Sequence, residues 1–139
     1  MIDAEQAVLH TDGTASVPFT QSAGSYYIAI KHRNTVQTWS ANPVACSDST
    51  AYDFTIASDK VYGDNQVQVE PGVWAFFTGD INQDEFIDSN DFPPFDNDVF
   101  NGVAFEYVAT DMNGDGFVDS NDFPVFDSNN FNGVTALHP

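Results

Sequence analysis

The first half of the chain carries its apolar residues in short β-branched and aromatic runs. Ser25 to Lys31 (SYYIAIK) is one; Thr35–Trp39, Pro43–Cys46, Tyr52–Ile56, Gln66–Val69 and Val73–Thr78 are the others. Turn-forming pairs separate them: Asp12-Gly13, Ala23-Gly24, Asn42-Pro43, Gly63-Asp64-Asn65 and Pro71-Gly72. Short runs at about 8–12-residue spacing predict many short strands, and so a β-sandwich or barrel. The period changes in the second half. Phe92, Phe95 and Val99, and then Phe123 and Phe126, recur at helical spacing. Asn90 and Asn121 stand where helix N-caps belong. Pro93, Pro94 and Pro124 fall in a first turn, where a missing N–H is tolerated. Asn101-Gly102 and Asn132-Gly133 read as helix stops. Two short helices are therefore predicted, with Phe stripes that pack on each other.

The two helical units are copies of one another. Residues 80–103 and 111–134 align at an offset of 31, with 16 of 24 positions identical. Two copies are too few for a solenoid, so they form a pseudo-symmetric pair in which each half covers the other.

Each copy opens with D-x-N-x-D-x-x-x-D-x-x-D. A calcium loop takes ligands from positions 1, 3, 5, 7, 9 and 12, position 7 through its backbone carbonyl. In the first copy these positions are Asp80, Asn82, Asp84, Phe86, Asp88 and Asp91. In the second they are Asp111, Asn113, Asp115, Phe117, Asp119 and Asp122. Oxygen ligands without His or Cys favour Ca²⁺ over zinc or copper, and two such sites are expected. Four carboxylates drawn into one loop repel each other unless a cation joins them. At position 6 the second loop has Gly116, which suits a sharp left-handed turn, and the first has Glu85. A side chain there costs on the order of 1 kcal/mol, so the first site is expected to bind more weakly or to turn differently.

Charge follows the same division. The chain has 139 residues, with 21 acids against 3 Lys and Arg, for a net charge of −18. Residues 1–78 carry 8 acids and all 3 bases, whereas residues 79–139 carry 13 acids and no Lys or Arg. The boundary expected on these grounds separates a β domain, 1–78, from a tandem calcium-binding module, 79–139. Acidity of this degree excludes nucleic acid as a natural partner, because phosphate binding needs clustered Lys and Arg. No apolar run reaches the roughly 18–20 residues of a membrane span, so no membrane insertion is expected. Residues 1–20 do not read as a secretory leader. With 13 Phe and 42% hydrophobic residues, the chain is too apolar for a disordered acidic tail.

Residues 79–134 resemble a type I dockerin module, the paired loop-plus-helix calcium domain of secreted bacterial proteins. Asp at position 12 and a single helix per loop carry that resemblance. It implies that positions 10 and 11, here Ser89-Asn90 and Ser120-Asn121, face a cohesin-like partner protein. The stretch YYIAIKHRNTVQTWSANPV, followed by YDFT and GVWAFFTGDINQD, resembles a β-domain of large secreted bacterial surface proteins. In that family a segment like Gln6–His10 follows further strands. The resemblance implies a sandwich lacking a strand, and an open edge that pairs with another domain or another copy.

Catalytic motifs are lacking. His10, His32 and His138 lie far apart in sequence, and no nucleophile elbow, zinc helix or phosphate loop is present. Cys46 stands alone, so no internal disulfide is expected. The expectation is a non-catalytic, extracellular or cell-surface calcium-binding structural protein, with no enzyme activity, that associates with itself as a filament or surface subunit. A dockerin-type adaptor is the alternative. A carbohydrate-binding module is the third, with Trp39, Trp74, Tyr26 and Tyr27 as an aromatic platform, against the reading that most of them pack in the core. Apart from these readings, Asp48-Ser49-Thr50 is a point where an O-linked sugar can attach.

Overall fold

A computed structural model describes residues 3–19 and 23–139. The described residues lean towards β structure, in short strands and small sheets, followed by two helices. Strand β1 (Gly24–Tyr26) pairs antiparallel with β4 (Val44–Cys46). β2 (Ala29–Ile30) pairs with β3 (Thr38–Trp39). β5 (Val67–Glu70) pairs with β6 (Val73–Ala75) around Pro71-Gly72, with a bulge between Gln68 and Glu70. Isolated bridges Thr35–Thr78 and Ser40–Val61 tie these ladders to later parts of the chain.

The strands are shorter than the apolar runs that predict them, and in one run a local polar group captures the backbone. Tyr52–Ile56 forms no strand. The Asp53 carboxylate turns back to accept from the Thr55 N–H at 2.8 Å and the Thr55 hydroxyl at 2.7 Å. Such a turn offers the backbone an alternative to a ladder. One link to β6 survives, where Trp74 N donates to Thr55 O at 2.8 Å.

Helices α1 (Phe92–Asn101) and α2 (Phe123–Phe131) follow the two acidic loops. They begin one residue later than expected: Asp91 and Asp122 occupy the N-cap positions, not Asn90 and Asn121. The cap carboxylates make no hydrogen bond into their own helices, being engaged inside the loops. The Pro residues do fall in the first turn, and Gly102 ends α1 in a left-handed conformation.

The core lies in the acidic half. Ile87, Phe95, Met112, Val118, Phe126 and Ala136 are buried together with Val36 from the β half. The Phe stripes meet as expected: Phe92 lies 6.1 Å from Phe123, and Phe95 stacks on Phe123 at 6.3 Å, centroid to centroid. Val36 reaches this core because residues 33–36 are stitched to the end of the β half and to the acidic half beyond it. Val36 N donates to Phe77 O at 3.1 Å, and Gly79 N donates to Asn34 O at 2.7 Å. Asn34 Nδ2 donates to Ala109 O at 3.0 Å.

Candidate metal centre

The two acidic loops fold almost identically, since the same residue types meet the same backbone groups 31 positions apart. The last ligand position organises each loop. Asp91 Oδ1 accepts from Ile81 N at 2.7 Å and Asn82 N at 3.0 Å, while its Oδ2 accepts from Asp88 N at 3.0 Å. Asp122 does the same with Met112 N at 2.7 Å, Asn113 N at 2.9 Å and Asp119 N at 3.0 Å. The first position closes the loop from the other side. Asp80 accepts from Asp84 N and Glu85 N, and Asp111 accepts from Gly114 N and Gly116 N. At positions 3, 5 and 9 the side chains turn back on the backbone two residues ahead: Asn82 to Asp84, Asp84 to Phe86, and Asp88 to Asn90. Asn113, Asp115 and Asp119 repeat these turns.

Each loop therefore brings its sequence-predicted residues into one coil of chain. Positions 1 and 12 are buried in both copies, Asp91 and Asp122 completely. Positions 3 and 5 and the side chain of position 7 face outward; position 9 is half-buried. Burial, the largest influence, raises Asp80 and Asp91 above the ordinary carboxylate range, although the N–H groups around them pull the other way. Among the described residues none of these carboxylates pairs with Lys, Arg or His.

Two of the three bases do approach the loops, at carbonyls only. Arg33 Nη2 donates to Asp111 O at 2.6 Å, and Lys31 Nζ to Gln83 O at 3.4 Å. Arg33 Nε also donates to Val108 O at 2.8 Å, and its guanidinium lies 4.4 Å over the Tyr107 ring.

Among the described residues, no three His, Cys, Asp or Glu side chains form a group that could hold a metal ion as they stand. Backbone N–H groups engage at least one oxygen of each loop carboxylate, and Asn side chains reach the second oxygens of Asp84, Asp88, Asp115 and Asp119. The full donor set reaches beyond those residue types, to Asn82 and Asn113 and the carbonyls of Phe86 and Phe117. Its chemistry fits a hard cation: every donor is oxygen, and the buried carboxylates lack a cationic partner. Asp80, Asn82, Asp84, Phe86, Asp88 and Asp91 would hold one ion, and Asp111, Asn113, Asp115, Phe117, Asp119 and Asp122 the other.

Position 6 is left-handed in both loops, with φ of +79° at Glu85 and +87° at Gly116. Gln83, at position 4 of the first loop, is left-handed as well, at +62°. Sequence reasoning missed that second strained residue, though Gly114 at the matching place in the second loop was the available signal. It also missed how the units interlock. Phe86 bridges Thr135, beyond α2, and Phe117 bridges Ala104, beyond α1. Ile87 N donates to Val134 O at 2.9 Å, and Val118 N to Val103 O at 3.0 Å. Each loop is thus paired with the exit of the other unit's helix.

Comparison of the chain with known protein families, with curated proteins and with solved structures finds no match.

Proposed function

We propose that this chain is a non-catalytic, extracellular calcium-binding structural protein that associates with itself. The observation that carries this reading is the duplicated loop, in which buried Asp80 and Asp91, and Asp111 and Asp122, have no cationic partner among the described residues. Buried charges are ordinarily paired or coordinate metals. Calcium at both loops would supply the missing positive charge and couple metal binding to the folding of residues 80–134. Extracellular modules work with sites on the order of 10⁻⁴–10⁻³ M, so millimolar calcium outside a cell would fill them. In this reading the second half is a dockerin-like module, and the first is a β-sandwich short of one strand.

Calorimetric titration with calcium, together with thermal melting in calcium and in chelator, tests the reading. Two bound ions per chain and a melting temperature that falls in chelator are expected. No heat of binding and identical melts would overturn it.

A second reading, a dockerin-type adaptor that docks a cohesin-like protein, is favoured by one observation: Ser89, Asn90, Ser120 and Asn121 are all exposed. It predicts a monomer that loses its partner when all four are substituted together.

A further inference from the structure

The β half buries little apolar surface of its own. Among its described residues Val36 and Val61 are the buried apolar side chains, and Val36 packs in the core of the acidic half. Tyr52 meets Phe54, and Phe54 meets Phe76, edge to face at 4.8 and 5.6 Å between centroids, yet all three residues stay half-buried. The described strands form three separate two-stranded sheets. A lone two-stranded ladder is marginal in water and needs a further strand or a packed neighbour to persist. Burial on this scale does not offset the entropy of ordering so many residues, so the order of this half comes from what it is fastened to.

The fastening is to the chain that enters each acidic loop. Asn34 is buried and works from both ends. Its carbonyl accepts from Gly79 N at 2.7 Å and from the Thr78 hydroxyl at 3.0 Å, just ahead of Asp80. Its side-chain amide donates to Ala109 O at 3.0 Å and to Asp111 O at 3.3 Å, at the start of the second loop. Arg33 reinforces the second tie, at Asp111 O. Gln83 reinforces the first, donating to Asp80 O at 2.7 Å and to Thr35 O at 3.4 Å. The backbone carbonyl at the first ligand position of each loop is thus tied to residues 33–35, directly at Asp111 and through Gln83 at Asp80. A separate tie runs from Asn65 Nδ2 to Thr135 O at 2.9 Å, and the Thr135 hydroxyl in turn donates to Glu85 O in the first loop.

We infer that calcium in the acidic loops holds the β half folded, through the latch of Arg33, Asn34 and Thr35. None of the ligand positions lies in the β half. A cation that neutralises buried Asp80, Asp91, Asp111 and Asp122 stabilises the path of chain on which the latch closes. When the loops open, Asn34 loses its partners at both ends and Val36 loses its core. An ion that binds only the folded loops stabilises every segment that cannot order itself without them. This inference rests on the calcium binding proposed above and extends its effect to the half that holds no ligand.

The sequence supplies separate reporters. Trp39 and Trp74 both lie in the β half and residues 79–139 contain no Trp, whereas α1 and α2 both lie in the acidic half. The Trp39 ring lies 5.8 Å from that of His138, so a Trp39→Phe chain leaves Trp74 as the cleaner probe. Urea unfolding of this chain in millimolar calcium and in chelator, followed by Trp74 fluorescence and by helical circular dichroism, tests the inference. Amide exchange over residues 24–46 of the parent reads the β1–β4 and β2–β3 ladders under the same conditions. The two transitions are expected to coincide and to move together with calcium. With calcium at about ten times its dissociation constant, exchange in those ladders should slow about tenfold for each filled site. Asp115 is exposed and bonds within its own loop, so Asp115→Ala should speed that exchange about tenfold in calcium and change it little in chelator. Arg33→Met/Asn34→Ala should leave the helices responding to calcium while Trp74 ceases to follow. Calcium that raises the helical transition but leaves Trp74 and the 24–46 amides in place would overturn the inference and leave calcium binding standing. So would an Arg33→Met/Asn34→Ala chain whose Trp74 still follows calcium like the parent's. Calcium that moves neither signal and gives no heat of binding would overturn both.

Discussion

Nε2 of His138 lies 3.0 Å from Oε2 of Glu85, tying the end of the described chain to position 6 of the first acidic loop. The backbone joins in: Ala136 N and the Thr135 hydroxyl donate to Glu85 O at 2.8 and 2.9 Å. Glu85 is thus held in its left-handed conformation by the chain beyond α2. Both side chains of the pair are partly exposed, so this contact by itself contributes little.

The contrast between Glu85 and Gly116 predicts opposite effects of substitution. A Cβ added at Gly116 meets nothing within 4 Å, so Gly116→Ala isolates the backbone term. It should weaken calcium binding at the second loop by about 1 kcal/mol, or about fivefold. Glu85→Gly should strengthen the first loop by a similar factor. Calorimetric titration of both variants beside the parent reads this, and equal affinities for all three would refute it.

Asp91 should prove essential in chelator as well as in calcium, because it satisfies three backbone N–H groups from inside the protein. Asp91→Ala leaves those donors unpaired, at about 1–3 kcal/mol for each buried group left unsatisfied. Urea denaturation with and without calcium measures it. A variant as stable as the parent in chelator would confine the residue to metal binding.

The aromatic residues of α2 should divide sharply. Phe126 is fully buried beside Ile87, and Phe126→Ala should cost about 3–5 kcal/mol. Phe131, 89% exposed, should change stability by no more than about 0.5 kcal/mol when replaced by Ala. Gly79→Ala belongs with the first. Its φ is +128°, and a Cβ would stand 2.9 Å from Ile87 Cγ2. Chemical denaturation midpoints of the three variants would show the order.

His32 should make the fold sensitive to mild acid. Burial and then the neighbouring Arg33 charge hold its pKa below 6.5, against a smaller opposing hydrogen bond from Asn34. Its ring lies 3.1 Å from the Tyr107 hydroxyl. The unfolded chain takes up a proton near pH 6.5 while the folded one does not. This contribution to stability is therefore complete above that pH and declines as pH falls through it. Melting temperatures between pH 8 and about 5.5 should fall more steeply for the parent than for His32→Gln. Parallel curves would remove His32 as the cause.

Much of the second half was legible in the sequence, since its signals are local and occur twice. The 31-residue offset predicted two equivalent loops and two short helices, and Gly116 against Glu85 marked a left-handed position that both loops adopt. The helix starts were misplaced by one residue because Asp91 and Asp122 spend their carboxylates inside the loops, which cap propensity does not register. In the β half, apolar runs located the strands but overstated them. Whether Tyr52–Ile56 joins a ladder depends on Asp53 capturing Thr55, and on which distant strand comes within reach. The interlock of each loop with the other unit's helix exit and the burial of Val36 in the acidic half's core belong to the tertiary structure alone. Contacts between residues far apart in sequence leave no periodic trace, because the chain must first close on itself before those side chains meet.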